Sequence, residues 1–448
     1  MSRSVMWFRT DLRLADHPAL RAAVEAGPDG VVPLLVLDDH FWGPGASVRQ
    51  AYLVQLLHDF SDRIDGLHVV HGSPATEVVR IARAVEATSV HVSADFTPYG
   101  ADRDEAVERA LAEIDIPLVR TGSSYAVSPG RVTKDDGSPY RVFTPFFGAW
   151  QAHGWRDPAP AVRDVTWIRP EGRTHRIPEA SAPDGVRLPP AGEAAARARW
   201  REFLDDDVAD YADVRDLAGA DRTSRMSVHL KWGTIHPRTL LADLAPLRSD
   251  GATAYARELA FREFYADVLH HRPDSAFDYY DARFARMKYD EPADDLEAWK
   301  QGRTGYPIVD AGMRQLLVEG WMHNRVRMIV ASFLVKDLHL EWQHGAAWFL
   351  DRLVDADLAS NQHGWQWTAG CGTDASPYFR VFNPTTQGKK FDPDGTYVRR
   401  WVPELRDLPA DRVHEPWRLD PPPADYPAPL VDHAEERRES LRRYEAIR

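Results

Sequence analysis

The chain has 448 residues and a single cysteine, Cys371, which excludes an intramolecular disulfide and a metal site built on clustered thiolates. No apolar run reaches the ~20 residues that a membrane helix needs. The opening residues Met1 to Trp7 meet charge at Arg9, Asp11 and Arg13 too soon for a secretory core, so no targeting segment is expected. Positive charge in excess is also missing. The formal net charge is −13, which argues against a surface coated in basic residues for nucleic acid. A local basic groove is still allowed, because screening confines fields to roughly 10 Å. No Gly-x-Gly-x-x-Gly follows the first strand and no Gly-x-x-x-x-Gly-Lys occurs, which argues against a dinucleotide fingerprint or a P-loop. These absences point to a reducing cytoplasm and to a chain long enough, at 44% hydrophobic, for more than one domain. Tryptophan, by contrast, is abundant: 15 residues require an explanation.

Residues 1–130 alternate short apolar runs with helical stretches, the pattern of an α/β domain with a five-stranded parallel doubly wound sheet. The expected strands are Val5–Phe8, Val31–Leu37, Leu67–His71, Ser89–Ser93 and Ile116–Val119, separated by helices such as Pro18–Glu25, Ser47–Ile64, Ala75–Ala87 and Asp102–Glu113. Residues 131–192 read as an inter-domain linker, with seven prolines between Asp157 and Pro190 that suggest a segment draped over the surface. Residues 193–448 read as all-α, with three-and-four apolar spacing over Glu193–Phe203, Arg238–Leu247, Thr253–His270, Ala311–Glu319, Asn324–Leu338 and His344–Leu353. The charged run after Pro421-Pro422-Pro423 is expected to lie on the surface or fray.

Four clusters carry chemistry. Thr223-Ser224-Arg225-Met226-Ser227 sets hydroxyls and a guanidinium before a helix-like run, which suits a phosphate but equally an ordinary helix cap. Glu258, Phe261, Arg262 and Tyr265 share a helix face, and a solvated Glu/Arg ladder is the competing reading. Trp321 to Met328 brings Asn324, Arg327 and Met328 to one face, where a planar polar ligand could sit; no second His or Cys at i+4 makes His323 a metal ligand. Asp355 to Asp374 combines carboxylates, Asn361, Trp365, Trp367 and close-approach glycines, and suits a planar heterocycle better than a divalent metal.

Asp11-Leu12-Arg13-Leu14, Tyr140-x-Val142-Phe143-Thr144-Pro145-Phe146, Gly302 to Ala311, Trp321 to Arg325, Trp365-Gln366-Trp367 and Gly372-Thr373-Asp374 to Pro384 run in order at family-like spacing. Together they resemble the DNA photolyase/cryptochrome family, specifically class I cyclobutane pyrimidine dimer photolyases. The resemblance implies an antenna domain, a linker and a helical domain that holds FAD, with FADH− as the working form. It also implies an antenna chromophore, a deazaflavin or methenyltetrahydrofolate, near Asp38–Phe41, Arg49–Leu53 and Asp95–Arg103.

By resemblance, Tyr211 and Thr223, Ser224, Arg225, Met226 and Ser227 hold the FAD phosphates. Asp355 pairs with Arg327 beside the ring, Ala356 follows, and Asp357 meets the pyrimidine edge. Asn361 faces flavin N5, where an amide cannot readily hand over a proton. Plant cryptochromes carry Asp there and animal ones Cys, which favours repair over signalling. The implied substrate is UV-damaged DNA with a flipped-out dimer. Trp367 and Phe261 would wall it, Phe261 standing where the family has Trp. Glu258 and Asn324 would bond its bases, with Met328 against the ring. Tyr265, Arg262, Arg325, Arg380 and Gln387 would meet the DNA. Trp365, Trp342 and then Tyr289, where a third Trp is usual, form the implied electron-transfer chain. A (6-4) photolyase would show a histidine pair in place of His323-Asn324, and a cryptochrome-like photoreceptor is the reading from a different class. The expectation is a monomeric light-driven lyase without metal or membrane, cytoplasmic and nucleoid-associated during repair.

Overall fold

The computed structural model describes residues 1–42, 47–171, 176–373 and 379–448; Asp374 of the Gly372-Thr373-Asp374 motif lies outside the described residues. Five strands, β1 (Arg3–Phe8), β2 (Gly30–Asp38), β3 (His68–Gly72), β4 (Ala87–Ala94) and β5 (Leu118–Ser123), form one parallel sheet in the order β3-β2-β1-β4-β5. Helices α1 (Pro18–Ala26), α2 (Val48–Arg63), α3 (Pro74–Ala84) and α4 (Pro98–Ala112) alternate with them. Alternate residues enter two cores, Met6, Phe8 and Leu35 on one face and Val5, Trp7 and Leu34 on the other. A parallel sheet covered on both sides needs this near-continuous apolar sequence.

Several boundaries differ from expectation by a few residues, and two have a clear physical reason. The stretch expected as helix over Ala75–Ala87 stops at Ala84, because Glu86 takes a positive φ of 52° and Ala87 already belongs to β4. The last strand runs past Val119 through polar Arg120 and Thr121 at the sheet edge, where an apolar-run criterion loses it.

The proline-rich segment is stitched down. Val31 N donates to Thr166 O at 2.9 Å, Ile168 N to Val31 O at 3.0 Å and Val162 N to Leu14 O at 3.2 Å. Ahead of it stands α5 (Phe143–His153), whose Phe143, Phe146 and Trp150 are buried.

The helices that follow are α6 (Glu193–Asp206), α7 (Tyr211–Val214), α8 (Met226–Lys231), α9 (Pro237–Leu244), α10 (Asp250–His271), α11 (Asp294–Lys300) and α12 (Pro307–Glu319). Then come α13 (Asn324–Lys336), α14 (Trp342–Arg352), α15 (Leu358–Ala369), α16 (Pro384–Phe391), α17 (Thr396–Trp401) and α18 (His433–Glu445). The C-terminal run, expected to lie on the surface or fray, lies on the surface as α18 and is docked there: His433 pairs with Asp337 at 2.5 Å, and the Tyr444 ring stacks on Phe379 at 4.4 Å. No helix among the described residues is long and apolar enough to cross a membrane.

A buried ionic cluster joins sheet and helices. Asp16 accepts from Arg238 Nη2 at 2.6 Å and from Ala159 N at 2.8 Å, while Arg13 donates to Gly233 O at 2.9 Å. A Cβ at Gly233 would lie 2.0 Å from Thr10 O, so only glycine allows this approach. Burial opposes ionisation of Asp16, yet its bonds from His236 and Ala159 and the Arg238 charge hold it well below the usual carboxylate range.

Burial also pushes five histidines, His91, His229, His236, His323 and His363, down to about 4. The fold therefore favours their neutral rings over the protonated form that the unfolded chain takes below its ordinary value of 6.5. Their contribution to stability is complete above about pH 6.5 and is lost as pH falls from there toward 4. The melting temperature is expected to plateau above pH 6.5 and to fall steadily below it; a curve flat down to pH 4.5 would contradict the neutral-histidine assignment.

Candidate functional site

The hydroxyl-rich segment is held from behind. Arg199 on α6 donates to the carbonyls of Ser224 at 3.1 Å and Thr223 at 2.5 Å. Ser224 Oγ meets Tyr255 OH at 2.7 Å and accepts from Met226 N at 3.2 Å, and the Tyr211 ring packs edge-on against Tyr255 at 5.2 Å. Met226 is buried, and Ser227 Oγ accepts from Trp321 Nε1 at 3.3 Å. Thr223 Oγ1 is buried without a protein partner, so a hydroxyl here awaits an acceptor. Arg225 takes a left-handed conformation, φ 55°, that turns the chain into α8. Its guanidinium does not point at this segment's hydroxyls: it pairs with Asp221 at 2.7 Å and Glu319 at 3.2 Å and lies over the Trp321 ring.

The expected Asp355–Arg327 pair is present. Arg327 Nη2 reaches both carboxylate oxygens, at 2.8 and 3.1 Å, while its Nε donates to Met322 O at 2.8 Å. Ala356 is buried beside it. Asp357 caps α15 by accepting from Ser360 N at 2.9 Å, and although burial opposes it, the Arg262 and Lys231 charges keep its carboxylate below the usual range. The tryptophan-rich stretch forms the helix α15. On it, Asn361 donates both amide hydrogens, to Ala346 O at 3.1 Å and Gln362 Oε1 at 2.8 Å.

On α10, Glu258 is tied to Arg215, with burial pushing its carboxyl up against the pull of that guanidinium. Phe261 stacks flat on buried Phe143, with ring centroids 3.4 Å apart and planes within 8°. Tyr265 turns toward His363, 5.7 Å away. Arg262 diverges from the expected DNA rim: it donates to the carbonyls of Ser124 at 3.0 Å and Leu230 at 3.5 Å and lies over the Tyr125 ring. Arg325 is engaged by Asp216 at 2.8 Å and rests on Phe391. Asn324 and Arg380 are exposed, while Met328, Trp367 and Gln387 are half-buried. Arg199, Arg215, Asp216 and Lys231 were invisible to motif reading, because isolated charges acquire partners only through folding.

The residues expected to form the electron-transfer chain lie among other packed aromatic rings. Trp365 contacts Phe349 at 5.0 Å and Trp299 at 6.1 Å. It also presses on α14 one turn from Trp342, since a Cβ at Gly345 would lie 2.0 Å from Trp365 Cη2. Trp342 meets Tyr279 edge-on at 6.3 Å, and Tyr279 stacks on Tyr289 at 6.1 Å, so Tyr279 touches both of the residues expected to be neighbours.

Near the crevice where the strand order reverses, His40 stacks on Tyr99 at 3.8 Å, Tyr99 OH donates to Asp38 at 2.7 Å and Arg103 pairs with Asp95 at 3.1 Å. Among the described residues no group of three or more His, Cys, Asp and Glu could hold a metal.

A parallel α/β domain and a helical domain, with a hydroxyl-rich segment whose Thr223 hydroxyl has no partner among the described residues, a carboxylate–guanidinium pair and packed aromatic rings, define a two-domain cofactor-binding protein. The chain belongs to the DNA photolyase family. Residues 4–163 match the family described as DNA photolyase, and residues 255–446 match the FAD binding domain of DNA photolyase. A deoxyribodipyrimidine photo-lyase of Streptomyces griseus is 44% identical over 98% of both chains. A bacterial class III photolyase structure from Agrobacterium tumefaciens superposes with a TM-score of 0.93 at 34% identity, covering 100% of this chain and 98% of that one. An archaeal photolyase from Sulfolobus tokodaii, solved with two FAD molecules, gives 0.86 at 28% identity over 99% and 100%.

Gly345→Ala would force Trp365 or α14 to shift, an overpacking cost of about 1–3 kcal/mol against a helix-propensity gain of about 1 kcal/mol. A lower melting temperature and altered Trp fluorescence are expected; an unchanged or raised melting temperature would contradict the contact.

Proposed function

We propose that this protein is a light-driven DNA-repair lyase that splits cyclobutane pyrimidine dimers in UV-damaged DNA. The reading rests on one observation above all: family membership over the whole length coincides with the Asp355–Arg327 pair formed as that membership leads one to expect, just ahead of the helix α15 that carries Asn361 and the half-buried Trp367. FAD, working as FADH−, supplies the electron that opens the dimer and takes it back, so no net redox change occurs.

The chain's own residues do the rest. Tyr211 and the Thr223–Ser227 segment hold the phosphates, where the unpartnered Thr223 hydroxyl fits an anionic oxygen. Arg225 contributes backbone shape rather than charge. Asn361, with both hydrogens given to Ala346 and Gln362, has only its amide oxygen left for the ring nitrogen it would face, an acceptor that suits the N–H which FADH− would carry there. The damaged step is flipped out because it is poorly stacked and paired. Trp367 and Phe261 receive it, and Phe143 behind Phe261 stiffens a wall that lacks the indole usual in the family. Glu258, fixed by Arg215, and Asn324 bond its base edges, and Met328 touches its ring. Tyr265, Arg325, Arg380 and Gln387 line the DNA side; Arg262 serves the interior, close to Asp357. Trp365 and Trp342 carry electrons inward when oxidised FAD is photoreduced.

The units are residues 1–130, 131–192 and 193–448, acting as a cytoplasmic, nucleoid-associated monomer. The antenna, a deazaflavin or methenyltetrahydrofolate, would sit by His40, Tyr99 and Arg103; the absorption spectrum of the purified protein distinguishes the two.

Illumination of FAD-loaded protein with a dimer-containing oligonucleotide should restore the intact bases. Trp365→Phe should abolish photoreduction of oxidised FAD yet repair normally when pre-reduced; normal photoreduction in that variant removes the electron path. Glu258→Ala should lower repair yield per photon more than DNA affinity, and equal losses would count against its contact with the base edge.

A further inference from the structure

We propose that Tyr279, with Glu341 as its proton acceptor, is the residue at which the positive charge left by flavin photoreduction comes to rest. This rests on the electron path through Trp365 and Trp342 just described. It changes the terminus: the family-matched position, Tyr289, becomes a peripheral neighbour.

The indole N–H groups of Trp365 and Trp342 are both buried and without a hydrogen-bond partner among the described residues. An oxidised indole loses its proton only to an acceptor, so an electron hole on either ring stays a mobile cation. The next ring is different. Tyr279 lies 6.3 Å from Trp342, edge to face, and is itself buried. Its phenol donates to Glu341 Oε1 at 2.9 Å, and Glu341 immediately precedes Trp342 at the start of α14. A phenol stripped of one electron becomes a strong acid, and here a carboxylate already shares its hydrogen. The Tyr289 hydroxyl lies near the Tyr279 hydroxyl and feels Glu341 through charge alone, with no hydrogen bond to a carboxylate among the described residues, and its ring stacks 6.1 Å from that of Tyr279. Trp299, the other indole touching Trp365, donates its N–H to the Val330 carbonyl at 3.1 Å, a group too weakly basic to keep a proton.

The balance is simple. Light drives one electron from Trp365 to oxidised flavin; Trp342 refills Trp365, and Tyr279 refills Trp342. The Tyr279 O–H bond breaks, its proton passing to Glu341, and a neutral tyrosyl radical and a protonated carboxyl remain. An external thiol later returns one hydrogen atom to the phenoxyl, while Glu341, half-buried, releases its proton to water. Separating electron and proton in this way makes return of the electron to the hole slow, because the proton must come back with it.

The test is electron paramagnetic resonance of the FAD-loaded protein frozen under illumination, in cells fed ring-deuterated tyrosine so that a tyrosyl signal narrows and a tryptophan signal does not. The wild type should give the narrowed signal, and Tyr289→Phe should keep it. Tyr279→Phe should lose it, leaving a short-lived tryptophan cation in transient absorption. Glu341→Gln, which still accepts a hydrogen bond but takes no proton, should slow tyrosyl formation by roughly 100-fold, the low end of what a positioned acceptor contributes. Glu341→Asp should rescue it in part. Loss of the tyrosyl signal in Tyr289→Phe with its survival in Tyr279→Phe overturns the inference, as does a Glu341→Gln rate equal to the wild type. A radical that persists in Trp365→Phe instead overturns the underlying electron path. Unshifted melting curves and FAD absorbance in the variants separate these outcomes from misfolding.

Discussion

The carboxylate of Asp16 is the constraint on which the rest of the molecule depends. It sits just ahead of α1 and is gripped by Arg238 at the start of α9, with Ala159 of the proline-rich segment on the same oxygen. Removing one partner of such a buried pair costs about 3–5 kcal/mol, because the remaining charge is stranded. Three parts of the chain are thereby fixed relative to one another. The same seam continues through Arg13 to Gly233, and through Arg262 to the carbonyls of Ser124 and Leu230. Since Arg262 lies on α10 between Phe261 and Glu263, the seam sets how α10 presents its outward side chains as well as how the sheet meets the helical domain.

The second constraint is small and apolar. Gly345 lets Trp365 lie against the backbone of α14, one turn from Trp342, and so brings α14 and α15 together at the point where two aromatic residues must approach. Asn361, on α15, reaches back to Ala346 on α14 and fastens the same pair of helices. The residue proposed to face the ring and the residues proposed to feed it electrons are therefore positioned by one helix–helix contact. A displacement there moves both.

The sheet and the long helices were legible in the sequence because their signals are local: apolar runs bounded by turns, and apolar residues at three-and-four spacing. The Asp355–Arg327 pair was legible through family resemblance, and the structure places it within hydrogen-bond distance. Side-chain direction was not. Arg225 and Arg262 occupy motif positions, yet each is turned by other partners: nearby Asp221 and distant Glu319 for one, the carbonyls of Ser124 and Leu230 for the other. Helical spacing fixes which residues share a face and leaves open which neighbour claims a long cation. Tyr279 escaped for a related reason, since it lies in an irregular stretch between two short 3₁₀ turns and has no period to betray it.

The net charge of −13 now has a physical meaning. Cations near the site are largely committed: Arg215 to Glu258, Arg325 to Asp216, and Arg225 to Asp221 and Glu319. A rim with few free cations gains little from counterion release. Lesion recognition must then draw on what separates a damaged step from intact DNA, namely the lower cost of extruding it and the stacking that the pocket offers in return, about 1–3 kcal/mol per base. On this view the pairing of the arginines serves discrimination: it withholds affinity for undamaged backbone, which is always in excess, and leaves the aromatic walls to decide.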